Sequence, residues 1–259
     1  MTNENAPRVS GTVNFLDFKF SALGLPAAVD MIAARASLNA PFAYVATPNV
    51  DHVVGVSREP GRCPLYDAAW MLLNDSRILS RLAKVAGFKL NVATGADLAE
   101  RLFDDVVDRH EAITIVGGDG EMIAALKHRY GLTDVRWHRA PMNLKHNPEA
   151  IVAAAAFAAK QNARFTFICV GAPQQELIAF AMRQRGDATG VGLCVGAALD
   201  FLAGRTQRAP DWMRAAGVEW VHRLMSEPTR LWRRYLVDGP QVFALFAAWR
   251  SAMMAANAA

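Results

Sequence analysis

The sequence predicts an α/β fold: a mostly parallel sheet with helices on both faces, extended by a helical, basic C-terminal appendage. Three observations carry that expectation. Short apolar, β-rich runs alternate with longer helical patterns, as in a parallel sheet covered on both sides. Most of these runs stop at glycine, asparagine or proline, which suits strand ends. The excess of positive charge lies beyond residue 204. The expected division is a core over residues 1–204 and an Arg-rich appendage over 205–259.

Phe42 to Thr47 reads as the first buried strand, ending at Thr47-Pro48-Asn49. Ala68 to Leu73 is the second; it runs into Asn74-Asp75-Ser76 and a helical stretch from Ser76 to Val85. Ala112 to Val116 is the third, followed by Gly117-Gly118-Asp119-Gly120 and a helix pattern. Val135 to Arg139 is a short fourth, with a helix from about Pro148 to Lys160 after it. Phe165 to Val170 leads into Gly171-Ala172-Pro173 and a helix over Gln175 to Arg185. Val191 to Val195 is the sixth strand, ending at Gly196. This succession is Rossmann-like, and in such sheets ligands collect at the carboxyl ends of the strands. Further on, Ser226-Glu227-Pro228 reads as a cap and a first-position proline. At about 100° per residue, Arg230, Arg233 and Arg234 share one face, opposite Leu231, Trp232, Tyr235 and Leu236. The alanine-rich tail after Trp249 is expected to fray.

Composition excludes several classes. With 53% hydrophobic residues and a net charge of +4, the chain is not a disordered one. A spanning helix needs about 20 mostly apolar residues, and the longest clean apolar run is Ile151 to Ala159. Residues 1–10 hold no apolar signal core, and the three cysteines are too scattered for a disulfide framework or a zinc site. A cytoplasmic protein is the expectation. Beyond residue 204 stand eight arginines, no lysine and four acids. That excess equals the charge of the whole chain. It points to an anionic partner such as phosphate, nucleic acid or a lipid headgroup, against the plainer reading of a solvated surface.

The residues at the predicted strand ends carry the chemistry. Asp75, after a buried strand, is a candidate general base whose pKa partial burial would raise; its plainer role is the N-cap of the helix that follows. Thr47 and Asn49 offer short polar groups to a sugar or base, or only close their own turn. Gly117, Gly118 and Asp119 precede a helix whose amides suit phosphate, though a tight turn needs the same glycines. Gln174, Gln175 and Glu176 either meet substrate hydroxyls or simply begin a helix. There is no Asp-x-Asp metal clamp, P-loop, HExxH or GxSxG, and the glycine fingerprint of a dinucleotide site is incomplete.

Between residues 40 and 240 the chain resembles the bacterial WecG/TagA/CpsF glycosyltransferases. The strongest stretches are VGAPQQELIAF, GRTQRAPDW, GVEWVHRL and EPTRLWRRY, with TPNVDHVV, NDSRIL and TGADL upstream in the expected order. Where the family pattern usually has Pro-Lys-Gln-Glu, this chain has Pro173-Gln174-Gln175-Glu176; where it has Asp-Gly, Asp75-Ser76 stands; the arginine often found before TGADL is replaced around Asn91 and Val92. The resemblance implies inverting, metal-independent transfer of a sugar from a nucleotide-diphosphate sugar, a UDP-sugar in the first instance, to a polyprenyl-diphosphate-linked saccharide in cell-surface polysaccharide synthesis. It assigns the base to Asp75, pocket roles to Thr47, Asn49 and Gln175, and the basic segment to a membrane-contacting appendage. Without a metal site, the leaving diphosphate must be met by amides and by Arg77, Arg208, Arg214, Arg230, Arg233 and Arg234. No cofactor and no nucleic-acid partner are expected. A peripheral place on the cytoplasmic membrane face is, and a homo-oligomer is open. The competing class is a non-catalytic module that binds nucleotide and anionic lipid and regulates polysaccharide export, with Asp75 only a cap.

Overall fold

The computed structural model describes residues 9, 11–38, 40–141 and 144–258. Apart from Val9, the N-terminal expectation for residues 1–10 lies outside them. A six-stranded sheet forms in the order β4-β3-β8-β7-β5-β6, and every neighbouring pair is parallel. The strands are β3 (Ala43–Ala46), β4 (Met71–Leu72), β5 (Ala112–Gly117), β6 (Asp134–His138), β7 (Phe165–Cys169) and β8 (Val191–Cys194). All six were expected. Only β4 is much shorter than its apolar run, because Ala68 closes the helix α3 (Cys63–Asp67) and only Met71 and Leu72 reach the ladder with β3.

Alternation along the strands builds two apolar layers. Tyr44, Ala46, Val116, Ile168 and Cys194 face one side, where they pack with α2 (Val50–Arg58), α3, α4 (Arg77–Val85), α7 (Pro148–Lys160) and α8 (Gln174–Arg185). Val45, Ile113, Ile115, Phe165, Phe167, Val191 and Leu193 face the other, against α1 (Leu25–Ala36), α5 (Gly95–Asp105), α6 (Gly120–Tyr130) and α9 (Ala198–Leu202). Side chains that point alternately to two covered faces explain why these strands read as continuous apolar runs.

An antiparallel hairpin precedes the sheet: β1 (Thr12–Phe15) pairs with β2 (Phe18–Ser21). Beyond α9 the chain forms α10 (Asp211–Ala216), α11 (Glu219–Ser226), α12 (Pro228–Trp232), a π-helical turn over Arg233–Asp238, and α13 (Gln241–Ala258). The expected fraying after Trp249 is corrected: the backbone stays helical to Ala258. The helix is anchored, since Val242 and Phe246 are buried and Trp249 meets Phe15 edge-on at 5.1 Å. Among the described residues no helix is long and apolar enough to cross a membrane.

Candidate active site

A cavity of about 470 Å³ opens at the carboxyl ends of β3 and β4, roofed by residues of the segment 208–243. Helices α2, α4 and α5 all begin at it. Their N-caps are Asn49, Ser76 and Thr94, whose side chains accept from the amides of Asp51, Leu79 and Asp97. Such helix starts present spare N–H groups and a positive dipole end, so the floor favours a negative ligand. The loop that arranges them is fixed by Asn74, 1% exposed, which bonds to the Ser76 backbone on both sides and donates to the Asn91 carbonyl. Gly95 allows a close approach: a Cβ there would lie 3.0 Å from Thr47 Oγ1 and 3.3 Å from the Val195 carbonyl oxygen, a tight fit.

Asp75 stands in the cavity wall. Its capping role is corrected: Ser76 caps α4 by accepting the Leu79 amide at 3.2 Å. The Asp75 carboxyl instead lines the cavity and accepts the Gly95 amide at the start of α5. Burial pushes its pKa up to about 7, helped by the nearby Glu219 and opposed by His52, Arg223 and the Gly95 amide. Such a group takes up a proton near neutrality.

Arginines also line the cavity: Arg77 from α4, with Arg208, Arg214, Arg223 and Arg234 from the C-terminal segment. Arg208 lies 2.6 Å from Asp97 and 3.1 Å from Glu100. Arg214 pairs with Asp211, and Arg234 with Asp51. Among the described residues, Arg77 and Arg223 enter no ion pair. Arg230 and Arg233 do not line the cavity. Arg230 is forked onto Glu227 at 2.6 and 2.7 Å, and Arg233 is exposed. The single arginine face expected over 230–234 is thus split. The wider π turn from Arg233 onward breaks the α-helical spacing that would have aligned them. Of the apolar residues expected opposite the arginines, Leu231 is buried, whereas Trp232 and Leu236 are exposed.

The remaining candidates lie elsewhere. Thr47 is 4% exposed and donates to the Cys194 carbonyl at 3.2 Å, beneath the cavity. Gly117 and Gly118 take positive φ, +105° and +68°, in a tight turn, and Asp119 caps α6 while pairing with Arg205. Gln174, Gln175 and Glu176 are buried. Gln175 does not line the cavity: its Oε1 accepts the Gly196 amide at 2.8 Å and its Nε2 donates to Glu176 at 2.7 Å.

Sequence reasoning missed Glu219, Arg223, Asp51 and Asp97 as cavity residues. Glu219 and Arg223 both lie inside the GVEWVHRL stretch, and Asp97 is the acid of TGADL. The motifs held the signal, but only the fold brings them to Asp75. Among the described residues no group of three or more His, Cys, Asp or Glu side chains is placed to hold a metal ion. The family model of the glycosyl transferase WecG/TagA/CpsF family matches residues 13–256, and the chain belongs to that glycosyltransferase family.

Proposed function

We propose that the cavity is the transfer site of an inverting, metal-independent glycosyltransferase that moves a sugar from a nucleoside-diphosphate donor, a UDP-sugar in the first instance, to a polyprenyl-diphosphate-linked saccharide. The observation that carries the reading is Asp75: a carboxyl that does not cap its own helix, in a cavity, with a pKa near 7. Its carboxylate accepts the proton of the acceptor hydroxyl as that oxygen attacks C1 of the donor sugar. The C1–O bond to the diphosphate breaks on the opposite face, so the anomeric configuration inverts. The electron pair stays on the diphosphate. Charge growing there is met by the amides at the starts of α2, α4 and α5 and by Arg77, Arg208, Arg214, Arg223 and Arg234. Fixed donors of this kind stabilise developing charge without rearrangement at the moment of reaction, and the guanidinium fork suits phosphate.

The surface beside the cavity supports a membrane-facing acceptor. In the segment that borders the cavity, Trp212, Met225, Trp232, Leu236, Val237 and Phe243 are exposed, as are Arg230 and Arg233. Aromatic and aliphatic side chains interleaved with arginine suit an anionic lipid surface. On this reading the segment from 205 is a functional appendage that sits at the inner face of the plasma membrane.

The test is a donor screen of UDP- and GDP-sugars with a prenyl-diphosphate-sugar acceptor, with product configuration read by NMR. Transfer with inversion is expected, and lost in Asp75→Asn. Binding of nucleotide with neither transfer nor slow donor hydrolysis would favour a non-catalytic regulator instead.

A further inference from the structure

Behind the cavity runs a buried polar chain that the transfer chemistry does not use directly. Glu176 is 0% exposed in the first turn of α8. Its Oε1 receives Gln175 Nε2 at 2.7 Å and lies 3.4 Å from His52 Nε2, a contact short of a hydrogen bond that leaves His52 Nε2 and Glu176 Oε2 both buried and without a hydrogen-bond partner. On the other side of the imidazole ring, the Asn49 amide donates to His52 Nδ1 at 3.2 Å, and Nδ1 lies 2.9 Å from Asn49 Oδ1. Asn49 itself lines the cavity. A cap for α2 needs only a polar partner at its third position; it does not need a fully buried carboxylate behind that partner. Holding such a group away from water is costly, and the start of α8 offsets only part of that.

We propose that His52 and Glu176 are positioning residues of the transfer site. Glu176 holds the imidazole, the imidazole holds Asn49, and Asn49 meets the substrate. The proposal rests on the reading of the cavity as the transfer site. It predicts that both residues act only through Asn49.

The experiment is a double-mutant cycle on the full chain. Transfer kinetics are measured with the donor found in the screen and a short prenyl-diphosphate-sugar acceptor. Asn49→Ala, Glu176→Gln and their combination are compared, with Asp75→Asn as control and thermal unfolding recorded in parallel. Each single change is expected to lower kcat/KM about 10-fold, the scale of one hydrogen bond to a charged group. The combination should be no worse than Asn49→Ala alone. Losses that multiply, to about 100-fold, mark independent effects and overturn the proposal. So does wild-type kcat/KM in Glu176→Gln. If Glu176→Gln does not fold, His52→Gln reads the same coupling to Asn49 from the nearer end. If Asp75→Asn and Asn49→Ala both transfer normally, the cavity is not the transfer site and the positioning role falls with it. Loss in Asp75→Asn beside an additive cycle sinks the positioning role alone.

Discussion

Arg208 holds its Nη2 2.6 Å from Asp97 Oδ1 and so ties the segment after α9 to the first turn of α5. Burial alone would raise the Asp97 carboxyl, but hydrogen bonds from Arg208 and Thr94 outweigh it and hold the group below its ordinary value. A depressed carboxylate adds stability that is complete above its unfolded pKa, about 4, and is lost as pH falls through the lower folded value. Asp97→Asn should cost about 1 kcal/mol at pH 7, because the pair is only half-buried. The mutant's melting temperature should also fall less steeply than wild type below pH 4. Parallel melting curves across that range would rule out this tie.

Asp75 has the opposite sign. Its folded pKa, about 7, lies above the ordinary aspartate value of 3.8. The folded state therefore binds the extra proton between those values, and stability declines as pH rises through that window. Asp75→Asn removes the decline. The variant should melt higher than wild type at pH 8 and gain less at pH 4, while transfer falls about 10²–10⁴-fold. Near-normal turnover would take Asp75 out of the mechanism.

Glu219 tunes that proton. Its charge is the second cause of the raised Asp75 pKa, after burial. Glu219→Gln should therefore move the acidic limb of the kcat/KM profile to lower pH. A limb that stays in place, or moves up, would show that another group sets it.

Metal dependence is a separate check. The diphosphate charge is assigned to helix starts and arginines, so transfer should persist in excess EDTA. A strict need for added magnesium or manganese, measured as recovery of turnover, would contradict that assignment.

Most of the sheet was legible because β3, β5, β7 and β8 are buried on both faces and announce themselves as apolar runs; the edge strand β6 is only half-buried and reads through its place in the alternation of strands and helices. The hairpin of β1 and β2 was not legible. Its turn is Leu16-Asp17, with φ of +50° and +65° at both positions, where the readable signal is Asn-Gly or Asp-Gly. Asp75 was visible as a carboxylate after a strand, yet its neighbour Ser76 does the capping, a one-residue shift that no periodicity resolves. Thr47 and Glu176 were visible as polar residues at strand and helix ends, but whether such a group faces the ligand or its own support depends on packing. Glu219 and Arg223 lie some 145 residues beyond Asp75 in the chain, and no local pattern joins them to it.

The arginines of the C-terminal segment divide into two groups with different tasks. Arg234 lines the cavity and pairs with Asp51 at the start of α2. Arg230 and Arg233 lie outside it, beside exposed Trp232. Each cationic residue near an anionic bilayer contributes about 1 kcal/mol to attachment. Reversing the charge of both outer arginines to Glu should therefore release most of the protein from phosphatidylserine-containing vesicles in a sedimentation assay. Arg234→Ala removes one charge and should leave most of the vesicle binding. Its effect belongs to the reaction: turnover of a short, soluble acceptor should fall about 10-fold, the scale of one charged hydrogen bond, and by more than in the outer double variant. The shared-face alternative makes the two variants alike in both assays. Vesicle binding unchanged in the double variant would leave those arginines as a solvated surface, and soluble turnover unchanged in Arg234→Ala would remove it from the diphosphate.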